Sequence, residues 1–494
     1  MTRALRLFAS PLIYCLTAGV AAADLRADDL WKTWQSTMAQ TGLTLEAGDS
    51  QTNTDGLTLN RLRLALDPSA ALEMERLVLR ENADGSVAIL PGAVALVHST
   101  AHRGRLELNH EGLELTARET EGGGLRYDYQ AGRISADLQL NWPGGDPSDG
   151  PSVVSIGAEA VSGHYSDTPG DLRSFDLALK TGLVKTVSSM QDGSAGVSSR
   201  NSSEISSLDF QGSFALPAGV TALGMMEPGA LRDALTRGLA LQMRLNQGKT
   251  LTQSSEDLVF FKYDLRMTAA PSDMRMAISQ TSLSVDGTAG QMDFHFVTPE
   301  LAGPVNASLG SAAFGLKFPI VSPDRAQDFH LRFNMENLAL SEASWAMFDP
   351  EGVLVHAPGR FNLDLGGMMR ADLPGVVDSA LYGNAPVLPQ PEKLEIRDVT
   401  VKGLGTALKI FGAFSFDNSG FMPMPSGRAD LVLSGMERLL TGLTTLMPQQ
   451  KSDIASFREM LNEYTIRKPG ADENRATFEM RNGVEAYLNG KRFD

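Results

Sequence analysis

Gly427–Arg438 reads GRADLVLSGMER, and the earlier segment Gly359–Arg370 reads GRFNLDLGGMMR. Seven of the twelve positions are identical, in the pattern G-R-x-x-L-x-L-x-G-M-x-R. Leucine on alternate positions is typical of a strand with one buried face, and the Gly-Met step predicts a turn followed by a helix start. The sequence therefore predicts a strand, a glycine turn and a helix, used twice.

The two copies are expected to differ after the turn. Beyond the first, Pro374 is expected to cut the helix short. Beyond the second, apolar residues continue at helical spacing until Pro448, and Ser452–Tyr464 carries another apolar stripe. This pattern predicts a helical hairpin at 436–464, laid on a sheet as an amphipathic lid. The candidate ligand-groove residues are its apolar side chains, namely Met436, Leu439, Leu440, Leu443, Leu446, Met447, Phe457 and Leu461.

The rest of the chain is dominated by short runs in which apolar and polar residues alternate. These runs occur from Leu43 to Trp142 and again from Leu241 onward, separated by Gly, Pro and Asp turn signals. Strands with one dry and one wet face favour antiparallel meanders over a parallel α/β sheet. The predicted fold class is mainly β (α+β), with long twisted antiparallel sheets of amphipathic strands and a few packed helices. Those helices are expected near Asp28–Gln40, Pro228–Arg237 and Ser341–Phe348, the last capped by Ser341.

Composition shifts divide the chain into four segments. Residues 1–23 read as a leader, 24–186 as an N-terminal helix with an antiparallel β half, and 209–494 as a C-terminal β half with the hairpin. The Ser-rich stretch 187–208 is either a flexible loop or a set of weak strands. Pro143–Ser152 is a loop and a possible hinge, and the sequence leaves open whether the halves form one sheet or two domains.

The first residues indicate export. Arg3 and Arg6 precede the apolar run Leu7–Val20, and three alanines then provide a cleavage site after Ala23. An uncleaved anchor is the alternative, but the run is shorter than the roughly 20 apolar residues of a membrane span. The only cysteine, Cys15, lies inside this leader, so the mature chain is expected to have no disulfide or thiolate chemistry. The predicted location is the periplasm.

The charge balance limits the classes of molecule that are expected to bind. The net charge is −16, and removing the two leader arginines lowers it to −18. Nucleic acid requires basic patches, and simple electrostatic docking on anionic lipid requires positive charge. The composition therefore argues against both, and the expected partners are a lipid or other apolar ligand and an envelope protein.

No motif in the sequence indicates catalysis, so no catalytic residue, cofactor or metal site is predicted. His98 and His102 could share one face, but a third zinc ligand would have to be His110 or Glu107 across a turn. Met422-Pro423-Met424 could bind Cu(I), although methionine more often fills cores. A glycosidase carboxylate pair remains open, because its members need not be close in sequence.

Several segments resemble a known family. They are QDFHLRFNMENLALSEASWAMFDPEG (Gln327–Gly352), GAFSFDNSG (Gly412–Gly420), the block that begins GRADLVLSGMER, and the closing RNGVEAYLNGKRF. Together they resemble an exported family of alphaproteobacteria related to Rhodobacter, catalogued as a domain of unknown function, DUF twenty-one twenty-five. The resemblance implies an exported envelope protein and brings no catalytic residues. The run of amphipathic strands is also similar, in architecture alone, to AsmA-like envelope β-groove proteins.

These observations lead to three functional hypotheses. The first is a non-enzymatic periplasmic envelope protein whose curved sheet shelters a lipid or other apolar ligand. The second is a structural or protein-interaction role in envelope assembly. The third is a hydrolase without a recognisable motif.

Overall fold

A computed structural model describes residues 24–40, 43–67, 70–98, 104–140, 152–192, 197–220, 227–258, 260–321, 324–383, 388–420 and 422–493. The predicted leader at 1–23, nearly all of the loop at Pro143–Ser152, and His102 lie outside these ranges. The chain divides into two compact units. Unit 1 comprises Met1–Gly219 and Met243–Arg266, and unit 2 comprises Val220–Gln242 and Met267–Asp494.

The protein is mainly β, with one large antiparallel sheet, as the alternating pattern predicts. The first strands are β1 (Thr44–Asn53), β2 (Gly56–Asp67), β3 (Ala70–Glu81), β4 (Val87–Pro91), β5 (Val94–His98), β6 (Gly104–Glu111), β7 (Glu114–Thr120), β8 (Gly124–Leu140), β9 (Ser152–Thr168), β10 (Leu172–Thr181), β11 (Val184–Asp192), β12 (Val197–Ile205), β13 (Leu208–Pro217), β14 (Ala240–Gln247) and β15 (Thr250–Leu258). The others are β16 (Phe261–Ala269), β17 (Ser272–Ile278), β18 (Ser282–Ala289), β19 (Met292–Val297), β20 (Val305–Leu309), β21 (Ser311–Pro319), β22 (Gln327–Leu340), β23 (Gly359–Arg370), β24 (Gln390–Gly403), β25 (Thr406–Asp417), β26 (Met424–Ser434), β27 (Ile466–Arg467), β28 (Glu473–Arg481), β29 (Glu485–Leu488) and β30 (Lys491–Phe493). The Ser-rich stretch 187–208 contributes to β11, β12 and β13, so its described residues form strands for the most part.

Six α-helices occur in the described residues. They are α1 (Ala27–Gln40), α2 (Ala230–Thr236), α3 (Glu342–Phe348), α4 (Leu373–Tyr382), α5 (Met436–Leu446) and α6 (Lys451–Tyr464). The cap predicted for α3 is confirmed, because Oγ of Ser341 accepts a hydrogen bond from the backbone N–H of Ser344. The C-terminal helical hairpin is confirmed as well, and Arg458 of α6 pairs with Glu437 of α5 at 3.0 Å.

The core of unit 1 lies between α1 and the sheet. Leu30 and Trp34 of α1 are buried against Leu59 of β2 and Leu79 of β3. Nε1 of Trp34 donates a hydrogen bond to the hydroxyl of Tyr127 at 3.3 Å, which satisfies the polar atoms of both rings inside the core. The predicted N-terminal helix is therefore the cover of one sheet face.

The two copies of the repeated segment differ in structure, and the prediction for the first copy is wrong. In the second copy β26 ends at Ser434, Gly435 adopts the left-handed conformation (φ 79°), and α5 begins. In the first copy β23 runs through all twelve residues, because its backbone pairs with β22 and β24 on both sides and Gly367 is extended.

Pro374 was expected to end the helix after the first copy and instead lies in its first turn. The side chain of Asp372 caps α4 by accepting from the backbone N–H of Gly375. A proline is tolerated there because the first helical N–H groups have no partner inside the helix. The helix ends at Gly383, in the left-handed conformation.

Candidate functional site

In unit 2 the strand register places apolar side chains together on one side of the sheet. Leu331 of β22 is opposite Leu365 of β23, and Phe333 is opposite Leu363. Across the next strands the same side continues to β26. We call this side the apolar face. Its side chains on β22 to β26 are Phe329, Leu331, Phe333, Met335, Phe361, Leu363, Leu365, Leu394, Ile396, Val399, Val401, Leu408, Ile410, Phe414, Leu431 and Leu433.

The apolar face is incompletely covered. Leu331 is 38% exposed and Val401 is 41% exposed, whereas Leu59 in the core of unit 1 is 0% exposed. The principal contacts of α5 and α6 are with each other, with the 3-10 helix Pro448–Gln450 and with β27. Among the described residues, these helices contact β22 to β26 less extensively than α1 contacts β1 to β3.

Close approach of strands contributes to the packing of the apolar face. Phe414 of β25 is opposite Gly427 of β26, and a Cβ atom at Gly427 would lie 2.2 Å from the carbonyl oxygen of Ala413. The glycine that begins the second copy of the repeat is therefore required by its backbone neighbours. Phe333 and Phe361 lie side by side, with ring centroids 5.7 Å apart.

The opposite side of the same strands is mostly polar, although it includes the exposed Phe411, and several of its polar groups pair with one another. Nε2 of His330 lies 2.8 Å from Oδ1 of Asp364. The amide of Asn362 donates to Oδ2 of Asp398 at 2.8 Å, and Arg360 pairs with Glu336 at 3.0 Å. These polar groups form hydrogen bonds and ion pairs with one another at the surface, so the polar side is suited to solvent. The apolar face still has partly exposed side chains that could bury more surface in a contact.

A cluster of polar and aromatic groups follows α3. The buried carboxylate of Asp349 accepts from the backbone N–H groups of Val353 (2.9 Å) and Leu354 (2.7 Å). Nε2 of His356 lies 3.0 Å from Oδ2 of Asp349, and its ring stacks on Trp345 with centroids 4.3 Å apart. Burial raises the pKa of Asp349, but hydrogen bonds from Leu354, Val353 and His356 outweigh it, so the pKa lies below its ordinary value.

An Asp–His pair resembles part of a catalytic triad, but its surroundings here indicate a structural role. The other ring nitrogen of His356 lies 3.5 Å from the exposed carboxylate of Glu342. Within the described ranges, no serine, threonine or cysteine is hydrogen-bonded to this ring. The contacts of Asp349 with Val353, Leu354 and His356, and the stacking of His356 on Trp345, hold the loop 349–356 against α3.

Unit 1 contains an ion pair between a buried carboxylate and a partly exposed arginine. Nε and a terminal nitrogen of Arg173 donate to the two carboxylate oxygens of Asp167 at 2.8 and 2.7 Å. Burial raises the pKa of Asp167 to about 7, although the positive charge of Arg173 acts in the opposite direction. The guanidinium also lies 5.0 Å from the ring centroid of Phe175, so its contacts are with the protein's own side chains.

The eight residues predicted to line a groove are distributed along the hairpin. Leu440 is buried, Met447 and Phe457 are exposed, and the others are partly buried. A pocket of about 380 Å³ beside α5 is lined by the polar side of that helix, including Glu437 and Arg438. None of the eight predicted residues lines this pocket, and their contact with a ligand remains a prediction.

Of the remaining candidate ligands, the structure describes the surroundings of His110, Met422 and Met424, whereas His102 lies outside the described residues. In the part of the chain that the structure describes, no three His, Cys, Asp or Glu side chains are grouped as metal ligands. His110 lies 2.9 Å from the carbonyl oxygen of Pro91. Met422 is exposed, whereas Met424 is the first residue of β26 and partly buried.

No protein family, curated protein or solved structure matches the chain. The resemblance to the exported family therefore remains a prediction. Among the described helices, none combines the length and the apolar character required to cross a membrane.

The sequence predicts the alternating strands and a sheet that shelters a ligand, but its candidate groove residues lie on the hairpin and none lies on the apolar face. Alternation looks the same whether a face is covered by a helix or left open. The groove residues were therefore predicted on the hairpin, where the apolar stripe is clear.

Proposed function

We propose that the protein is a non-enzymatic envelope protein of the periplasm that holds a lipid or other apolar ligand on the apolar face of unit 2. The observation that supports this proposal is the incomplete cover of that face over adjacent strands. Soluble proteins rarely expose contiguous apolar surfaces of this kind unless a ligand, membrane or partner contacts them. The predicted leader at 1–23 is the basis for the proposed location.

The free energy gained by burying an acyl chain on the apolar face is large enough for ligand binding. Each buried methylene contributes about 0.8 kcal/mol, so about ten methylenes on the face would contribute about 8 kcal/mol before the costs of ordering. A side chain such as Leu331 still has more than a third of its surface free for this contact. An acyl chain laid across the strands fits this requirement.

The test is native mass spectrometry of the gently purified mature protein, followed by a challenge with lipid. We expect lipid adducts on the wild-type protein. Leu331→Gln should reduce lipid uptake about tenfold, because it puts an amide against an acyl chain. The matched control is Arg332→Gln, its neighbour on the polar side, which should leave uptake unchanged. A clean apo mass with no uptake on challenge would refute the proposal.

A protein-interaction role in envelope assembly is the second candidate. It is supported by exposed apolar side chains at helical spacing on α6, namely Phe457, Met460 and Tyr464. Such a stripe is suited to the groove or face of a partner protein. Crosslinking in cells from Met460 would then give one dominant protein adduct, and dispersed or absent adducts would exclude this role.

A further inference from the structure

The pocket beside α5 contains two positive charges that the protein leaves unpaired. Its lining includes Arg438 and Arg467, both exposed, together with Glu437, Asp472, Thr441 and Val353. Neither guanidinium forms an ion pair or a side-chain hydrogen bond with any residue the structure describes. An unpaired pair of guanidinium groups in one pocket is a candidate site for an anion.

The two acidic groups of the pocket are already engaged. Oδ1 and Oδ2 of Asp472 accept from the backbone N–H groups of Glu437 (3.1 Å) and Arg438 (3.2 Å), which caps α5. The carboxylate of Glu437 pairs with Arg458 of α6 at 3.0 Å. The helix N-terminus is thus occupied by Asp472, and the capacity for an external anion comes from the two arginine side chains.

The strand register connects this pocket to the apolar face. Arg467 of β27 is opposite Asn474 of β28, which in turn is opposite Leu433 of β26. Opposite residues of neighbouring strands project to the same side of a sheet. Arg467 therefore projects to the side of the apolar face, in the row that continues through Leu433 to Leu408.

We propose that Arg438 and Arg467 bind the anionic head group, a phosphate or carboxylate, of an amphiphile whose chain lies on the apolar face. This inference rests on the proposed function and assigns the ligand class. A planar guanidinium matches the oxygens of phosphate and carboxylate groups. The chain as a whole is strongly acidic, with a net charge of −16. Because so acidic a chain repels anions in general, the two free arginines are the groups that would retain an anion at this position.

The test compares two lipids with identical acyl chains, phosphatidylglycerol and phosphatidylcholine, competing for the full mature protein in native mass spectrometry. We expect a preference of about tenfold for phosphatidylglycerol, the combined effect of two exposed charge contacts. The double variant Arg438→Gln/Arg467→Gln should lose this preference and still bind phosphatidylcholine. Arg475→Gln, on the opposite side of β28, removes one charge nearby and should preserve the preference.

The outcomes separate this inference from the function it rests on. Equal binding of both lipids by the wild type, or an unchanged preference in the double variant, would overturn the head-group site and leave the apolar ligand in place. Failure to bind either lipid would overturn both proposals. Inorganic phosphate is titrated separately, and binding as tight as that of phosphatidylglycerol would mean a free-phosphate site instead of a head-group site.

Discussion

The same alternating pattern forms the sheet face under α1 in unit 1 and the apolar face of unit 2. The first of these faces is buried, and the second is partly exposed. In unit 1, Leu59 and Leu79 are 0% exposed, because Leu30, Trp34 and the rest of the α1 stripe pack on them. In unit 2, the equivalent side of β22 to β26 keeps side chains such as Leu331 partly open. Alternation therefore defines a face of the sheet, and a separate element determines whether that face becomes part of a core.

The helices of unit 2 are used elsewhere. The α5–α6 hairpin has its principal contacts within itself and with β27, and Gly442 of α5 lies close to Leu354 in the loop after α3. The hairpin thus packs on the two-residue strand β27 and on the loop after α3. A face left partly exposed in this way is available for further contact, which is the basis of the proposed function.

The largest expected effect is the contrast between the two faces in core truncation. Leu59→Ala should lower the free energy of unfolding by about 3 kcal/mol, since it removes a fully buried side chain and leaves a cavity. Leu331→Ala should cost less than about 1 kcal/mol, because much of that side chain is already in water. Urea unfolding of each variant measures the difference, and equal losses would show that the apolar face is covered after all.

A second prediction concerns how the strands of the apolar face pack. Gly427→Ala should destabilise the protein by about 2 kcal/mol, because the new methyl group would press on the backbone of β25. Gly359 is the equivalent glycine of the first copy. A Cβ atom added there would lie 3.3 Å from its nearest neighbour, the carbonyl oxygen of Lys402. Gly359→Ala should therefore change stability by less than about 0.5 kcal/mol. Thermal unfolding of the two variants side by side tests this, and similar losses at both sites would contradict the close approach at Gly427.

A smaller effect is expected in the loop that follows α3. The pKa of Asp349 is lowered in the folded state, so the charged carboxylate contributes stability above its unfolded pKa. That contribution is lost as pH falls through the lower folded pKa. The stability difference between the wild type and Asp349→Asn should be constant above about pH 5 and shrink below about pH 4. Unfolding curves between pH 3 and pH 7 measure it, and a difference that grows on acidification would reverse the assigned direction.

The structural features that the sequence predicts correctly are those that depend on local interactions. The cap of Ser341, the apolar stripe of α1 and the helical hairpin each depend on residues close in sequence. Pro374 was misread because a proline in a helix is compatible with either a break or a first turn, and the cap formed by Asp372 decides between them. Gly367 was misread because β22 and β24 hold it extended, which is a tertiary effect.

The candidate site depends on long-range register and so lay beyond sequence reasoning. Arg467 joins the apolar side only through its pairing with Asn474, and nothing in its local sequence indicates this. The free charge of Arg438 likewise depends on Asp472 being engaged with the backbone of α5. Sequence periodicity predicts which residues share a strand face; it does not predict which faces stay open.

The most direct test of the open apolar face is photocrosslinking in cells that express the protein. Leu331→p-benzoylphenylalanine places the photoreactive group on the apolar face, and Arg332→p-benzoylphenylalanine places it on the polar side one residue away. After irradiation, mass spectrometry of the purified chain reports any attached molecule. The account predicts lipid-mass adducts at position 331 and none at position 332. Equal adducts at both positions, or no adduct at position 331, would contradict it.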